Sequence, residues 1–154
     1  MEKPGKSLKA RAVDLLSRRE YTRLELKRRL SPFAESAEQV DALLDELAAS
    51  RWQSDARFAE QFADSRSRKY GSRRVAMEMR ERGVDSDTIK QTLSGHNDLA
   101  TARSQWLRKF GQPASDAAGR AKQMRFLASR GFGMDIIRQV IKGCDEWPDD
   151  DSGS

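Results

Sequence analysis

Apolar positions recur along the chain at spacings of three and four, and the alternation that marks half-buried strands is missing, so the pattern predicts helices throughout. Leu8, Ala12, Leu15 and Leu16 form a first stripe. Thr22 then stands as an N-cap with Glu25 three residues on, a capping box, and Tyr21 and Leu26 fit the hydrophobic staple around it. The stripe continues through Leu26 and Leu30, stops at Ser31-Pro32, and restarts after Ser36 as Val40, Leu43, Leu44 and Leu47. Three short helices are expected here.

The layout returns twice. Phe58 and Phe62 lead to a break at Tyr70-Gly71-Ser72, then Val75, Met79, a stop at Gly83, and a short segment with Ile89 and Leu93. Gly71 and Gly83 suit positive-φ stops, and Ser72 suits the next cap. Met124, Phe126, Leu127 and Ala128 then precede Arg130-Gly131-Phe132-Gly133, after which Ile136, Ile137, Val140 and Ile141 resume. Placing Thr22, Ser72 and Gly133 in register gives unequal spacings of 50 and 61, a degenerate repeat of helix-turn-helix units. Leu99, Ala102, Trp106, Leu107 and Phe110 form a connecting helix that Gly111-Gln112-Pro113 ends. The expected fold is therefore all-α: tandem three-helix modules at 1–52, 53–95 and 96–144 in an elongated array, with an acidic, disordered tail at 145–154. Trp52 and Trp106 are assigned to the core or to module junctions, and Trp147 to the exposed tail.

Composition narrows the chemistry. The 154 residues are 34% charged, mean hydropathy is −0.81, and no apolar run nears the roughly 18 residues of a membrane span. Residues 1–10 also lack a secretory leader, so a cytoplasmic address is expected. Cys144 and His96 are the only residues of their kinds. That removes most support for a disulfide, a Cys/His zinc site or a nucleophile-histidine pair; Cys144 is assigned to apolar packing near the end of the last helix.

The net charge of +5 hides blocks of alternating sign: ten Lys/Arg against four Asp/Glu in 1–34, then two against eight in 35–64, seven against two in 65–82, one against three in 83–102, nine against two in 103–142, and none against five in 143–154. The densest basic stretch is Arg66, Arg68, Lys69, Arg73 and Arg74 around the Gly71 turn, with Tyr70 among them. Planar guanidinium forks gathered at two helix ends suit phosphate or carboxylate groups. Lys122, Arg125 and Arg130 occupy the corresponding helix of the third unit, the first two sharing a face. In the first unit Arg18, Arg19, Arg23, Lys27, Arg28 and Arg29 are divided evenly between binding and solvated helix surface. Tyr21, Tyr70 and Phe132 beside the turns are assigned to packing in preference to base stacking. The acids of 145–151 lack the spacing and glycine of a calcium loop, and no phosphate loop or nucleophile elbow is present.

Taken together, the motifs resemble the RecX family, bacterial regulators of the RecA recombinase. The resemblance spans about residues 8–142 and rests on three strings in order. The first is Leu15-Leu16, Arg18-Arg19-Glu20-Tyr21-Thr22, Glu25-Leu26 and Leu30; the second runs from Asp55 and Phe58-Ala59 through Phe62, Arg66, Tyr70-Gly71, Val75 and Glu78 to Arg82-Gly83-Val84. The third is Lys122, Arg125-Phe126-Leu127, Arg130-Gly131-Phe132 and Ile136. Ser72 departs from the proline frequent after that glycine, and Ala34 from an expected glycine; neither is a basic residue. The resemblance implies tandem three-helix units that lodge in the groove of the RecA nucleoprotein filament and restrain its ATP hydrolysis and strand exchange.

The reading is thus a non-enzymatic, monomeric regulator without cofactor or metal. Its partner is the RecA filament, single- or double-stranded DNA is a further possible contact, and no membrane is involved. The Arg66-to-Arg74 surface is the principal contact and the Lys122-Arg125-Arg130 surface the second. The alternative is a helix-turn-helix transcriptional regulator that binds nucleic acid directly, although no second helix offers an obvious base-reading set for the major groove.

Overall fold

A computed structural model describes residues 5–143. Among them the chain forms nine α-helices and no strand: α1 Leu8–Leu16, α2 Arg23–Leu30, α3 Ala37–Ala49, α4 Asp55–Arg66, α5 Ser72–Glu81, α6 Ser86–Leu93, α7 Asp98–Lys109, α8 Ala117–Ser129 and α9 Met134–Gly143, with a 3-10 turn at Ser31–Phe33. The roles assigned to Cys144, Trp147 and the acidic segment 145–154 lie outside the described residues. No described helix is long and apolar enough to cross a membrane. Packing gathers the described residues into two units, 5–62 with 78–92 and 63–77 with 93–143.

In the first unit the apolar stripes of α1, α2 and α3 close on one another, burying Ala12, Tyr21, Leu26, Leu30, Val40, Leu43, Leu44 and Leu47. The capping box forms: Glu25 N donates to Thr22 Oγ1 and Thr22 N to Glu25 Oε1, each at 3.0 Å. Pro32 ends α2 in the 3-10 turn, and Ser36 caps α3. Trp52 departs from its core assignment, being 49% exposed. The cause is Arg51, whose φ of 65° turns the chain so that Gln53 goes inward. The Gln53 side-chain amide then donates to the Tyr21 carbonyl at 3.2 Å and to Asp55 Oδ1 at 2.8 Å.

In the second unit α7, α8 and α9 enclose Ala102, Trp106, Leu127, Phe132, Ile137 and Val140. The Trp106 indole N–H donates to Gln123 Oε1 at 2.9 Å, and the Gln123 amide donates to the Gln112 carbonyl at 3.0 Å, which satisfies a polar pair inside an apolar layer. Leu107, placed in the stripe by its spacing, is instead exposed.

The first i→i−4 bonds set the register of the repeat. Leu26 N donates to Thr22 O, Val75 N to Gly71 O, and Ile137 N to Gly133 O. The equivalent N-caps are therefore Thr22, Gly71 and Gly133, so Ser72 is one residue out of register and is the first residue of α5. Gly71 is likewise absent from the positive-φ glycines, which are Gly83, Gly95, Gly111 and Gly131. It is required by close approach: a Cβ there would stand 2.5 Å from the Gly131 carbonyl oxygen. Glycine has no side chain with which to cap α5, and Asp98 at the start of α7 supplies the acceptor, taking Ser72 N at 3.0 Å and Ser72 Oγ at 2.9 Å. Asp55 at the start of α4 does the same for α2, accepting from Arg23 N at 2.8 Å.

Candidate functional site

The basic stretch that follows α4 lies in the second unit, where the turn before α5 docks against the turn between α8 and α9. Gly71 N donates to the Arg130 carbonyl at 2.8 Å. The contact is tight on both sides, since a Cβ on Gly131 would lie 2.2 Å from that of Arg74. Arg74 Nη1 donates to the Ser129 carbonyl at 2.9 Å, which fixes its guanidinium.

Around that contact the half-buried Tyr70 ring becomes a platform for cations. The guanidinium carbons of Arg74, Arg66 and Arg130 stand 4.0, 4.5 and 5.5 Å from its centroid, and Lys69 Nζ stands 5.7 Å away. A ring face attracts each cation, by about 0.5–1 kcal/mol at exposed sites. Tyr70 therefore orders charge in addition to filling space. Arg130 also lies 5.0 Å from the Phe126 ring, which meets Phe110 edge-on.

Beside this platform is a hollow of about 370 Å³ lined by Arg68, Lys69, Gln105, Arg108, Lys109, Phe126 and Arg130. Among the described residues no carboxylate lies within ion-pair distance of Arg68, Lys69, Arg108, Lys109 or Arg130. Of the eight residues expected to bind, the structure brings Arg66, Arg68, Lys69, Arg74 and Arg130 together. Arg73 is elsewhere: it directly precedes Arg74 on α5, about 100° around the helix from it, and lines a hollow with His96, Asn97, Asp98, Gly133 and Asp135. Lys122 and Arg125 are exposed on α8 and line neither hollow. His96 Nε2 lies 3.2 Å from Asp98 Oδ1 without the alignment of a hydrogen bond.

Arg108 and Lys109 are functional candidates that the sequence reading missed, because α7 was read only for its apolar stripe. The available signal was the basic helix end, repeated from Arg18-Arg19 and Arg68-Lys69. Charge by unit makes the contrast larger. The described residues of the first unit hold fourteen Lys/Arg against fourteen Asp/Glu, and those of the second fourteen against four. Phosphate and carboxylate groups are the chemistry that such a gathering of cations suits, since arginines can contact either in bidentate fashion.

Residues 54–93 match the family model for the second three-helix domain of RecX, and residues 97–141 the model for its third three-helix domain. The regulatory protein RecX of Chromobacterium violaceum is 66% identical over 143 residues, covering 93% of this chain and 94% of that protein. The regulatory protein RecX of Neisseria meningitidis serogroup B is 44% identical over 151 residues, covering 96% of this chain and 99% of that protein. In three dimensions the chain is similar to the crystal structure of RecX from Lactobacillus salivarius, with a TM-score of 0.79 over 91% of this chain and 96% of that one, at 16% identity. At that identity the likeness bears on the fold. On the strength of the domain and sequence matches, the chain belongs to the RecX family of regulatory proteins.

Proposed function

We propose that this chain is a non-enzymatic, cytoplasmic regulator of the RecA nucleoprotein filament that restrains its ATP hydrolysis and strand exchange, and that the cations around Tyr70 make its principal contact. The observation that carries the reading is the convergence of Arg66, Arg68, Lys69, Arg74, Arg108, Lys109 and Arg130 on a unit with fourteen basic and four acidic described residues. Arg73, Lys122 and Arg125 are secondary contacts. Modules at 1–52, 53–95 and 96–144 act as linked binding elements, each raising the effective concentration of the next, so that modest contacts sum to firm binding.

The test is single-strand-stimulated ATP hydrolysis by the recombinase, with this protein titrated from well below to equal stoichiometry and its binding to free DNA measured in the same buffer. Inhibition at substoichiometric amounts that occupy little free DNA is expected. Arg68→Glu/Lys69→Glu/Arg108→Glu replaces three exposed side chains, so helicity should hold while the half-inhibiting concentration rises by roughly tenfold or more, as for loss of central charged contacts. Arg74 is a poorer probe because it also ties α5 to Ser129. Unchanged inhibition by the triple variant removes this surface from the account. Inhibition that tracks saturation of free DNA replaces the filament reading with competition for the strand.

A further inference from the structure

The first unit is electrically balanced overall, yet its charges are not evenly spread. Lys9, Arg23 and Lys27 turn toward α3, where Glu46, Asp45 and Asp41 receive them at 2.7, 2.8 and 3.1 Å. Glu20 holds Arg57 at 2.8 Å, and Glu25 stands 3.5 Å from Arg19. Cations on the other edge of α1 and α2 have a different environment. Lys6, Arg11, Arg18 and Arg29 surround a hollow of about 350 Å³ whose apolar lining is Leu15, Leu30 and Phe33. Asp14 is its one acid, and Lys6 takes it. Among the described residues no carboxylate lies within ion-pair distance of Arg11, Arg18 or Arg29. The Asp14 carboxyl is held below the usual carboxylate range by the hydrogen bond from Lys6 and its charge, with a smaller contribution from Arg18.

Phe33 makes this hollow unlike an ordinary solvated helix surface. It is 57% exposed in the 3-10 turn that Pro32 imposes, and the Arg11 guanidinium stacks 3.8 Å over its ring. Stacking holds Arg11 over the Phe33 ring, and a guanidinium is planar and able to fork onto a carboxylate. An apolar floor inside a ring of unneutralised arginines fits a ligand that carries both acids and an apolar side chain. A nucleic-acid strand fits less well: Leu15 and Leu30 offer no ring for a base to stack on, and one face of Phe33 is occupied by Arg11.

We propose that this hollow docks an acidic peptide segment of a partner protein, with Arg11, Arg18 and Arg29 holding its carboxylates and one apolar side chain resting on Leu15, Leu30 and Phe33. The site is separate in residues from the Tyr70 cluster and stands or falls without it.

The test is a titration of the full, nitrogen-15-labelled chain followed by backbone amide shifts. Three probes are used: a synthetic peptide with a Leu-Phe pair flanked on each side by three Asp or Glu residues, the same peptide with Ser-Ser in place of Leu-Phe, and a short oligothymidylate. The Leu-Phe peptide should shift the amides of Leu15, Arg29, Leu30 and Phe33. Its affinity should exceed that of the Ser-Ser peptide by roughly tenfold and fall by a similar factor in Phe33→Ser and in Arg18→Glu/Arg29→Glu, since anchor and charge both contribute. Equal binding of the two peptides reduces the site to general charge attraction and overturns the proposal. So does an absence of shifts at the hollow, or tighter binding there by the oligonucleotide. All substituted side chains except that of Phe33 are exposed arginines; should Phe33→Ser lose helicity by circular dichroism, the two peptides compared on the unaltered chain still decide the matter.

Discussion

Arg51 is the only described residue other than glycine with a positive φ, 65°, at the point where α3 gives way to α4. A left-handed backbone costs a residue with a Cβ about 1–2 kcal/mol. Glycine recovers that and gives back about 0.5–1 kcal/mol through the freedom of the unfolded chain. Arg51→Gly should therefore stabilise the protein by about 0.5–1 kcal/mol, the difference of those two effects. The Arg51 carbonyl, which accepts from Arg57 Nη1 at 2.9 Å, is backbone and survives the change. Urea unfolding would show it as a higher midpoint at unchanged slope; a lower midpoint would mean that the side chain contributes more than the backbone strains. At this scale the sequence is legible where partners are close neighbours. Thr22 and Glu25 are three apart and declare their capping box, whereas Asp55 and Asp98 cap helices 32 and 26 residues away and give no local sign of it. Tyr70 was legible as a turn aromatic but not as a cation platform, since Arg130 reaches it from sixty residues along the chain.

Among elements, the decisive contact is that of the α5 N-terminus with the α8–α9 turn. Two glycines make it possible for different reasons: Gly131 has φ of 91° and meets Arg74, whereas Gly71 has ordinary dihedrals and meets the Gly131 backbone. Gly95 is a useful contrast, because it has φ of 80° with nothing within 4 Å of the place a Cβ would occupy. Gly95→Ala should cost only the left-handed strain less what alanine gains in the unfolded chain, about 0.5–1 kcal/mol. Gly131→Ala adds a backbone collision to that strain and should cost several kcal/mol, of order 3 or more. Gly71→Ala should fall between them or above Gly95→Ala through collision alone. Thermal unfolding followed by helical circular dichroism orders the three, and equal losses at Gly95 and Gly131 would show that the turn yields readily. Helix positions were readable from apolar spacing because that signal is local. The N-cap register was misjudged by one residue at Ser72, since glycine and serine both suit a helix start and only the Val75 hydrogen bond distinguishes them.

Over the whole molecule the charge of +5 resolves, among the described residues, into a balanced unit and one with ten more Lys/Arg than Asp/Glu, to which the sequence of 144–154 adds five acids. The charge blocks were visible in the sequence, but their sums were not, because residues 63–77 group with 93 onward. If the basic unit makes the main contact, filament binding should weaken steadily as salt rises from about 0.05 to 0.2 M, where screening shortens to about 10 Å or less. The triple variant at Arg68, Lys69 and Arg108 should flatten that dependence; an identical salt slope in a bead or fluorescence binding assay would assign the attraction to other charges. The Gly71–Arg130 hydrogen bond also fixes an order of assembly during synthesis. Closing a loop of about 60 residues costs about 3–4 kcal/mol of chain entropy, which only the completed packing of α7, α8 and α9 can offset. Everything the first unit needs has been made once residue 92 is added. At about 5–20 residues per second, the stretch from 63 to 77 then waits roughly 3–10 s for α9. During that interval the nascent chain presents its densest run of arginines before the α8–α9 turn has docked on Gly71, which makes this segment the natural first point of attack for a protease and of rescue for a chaperone.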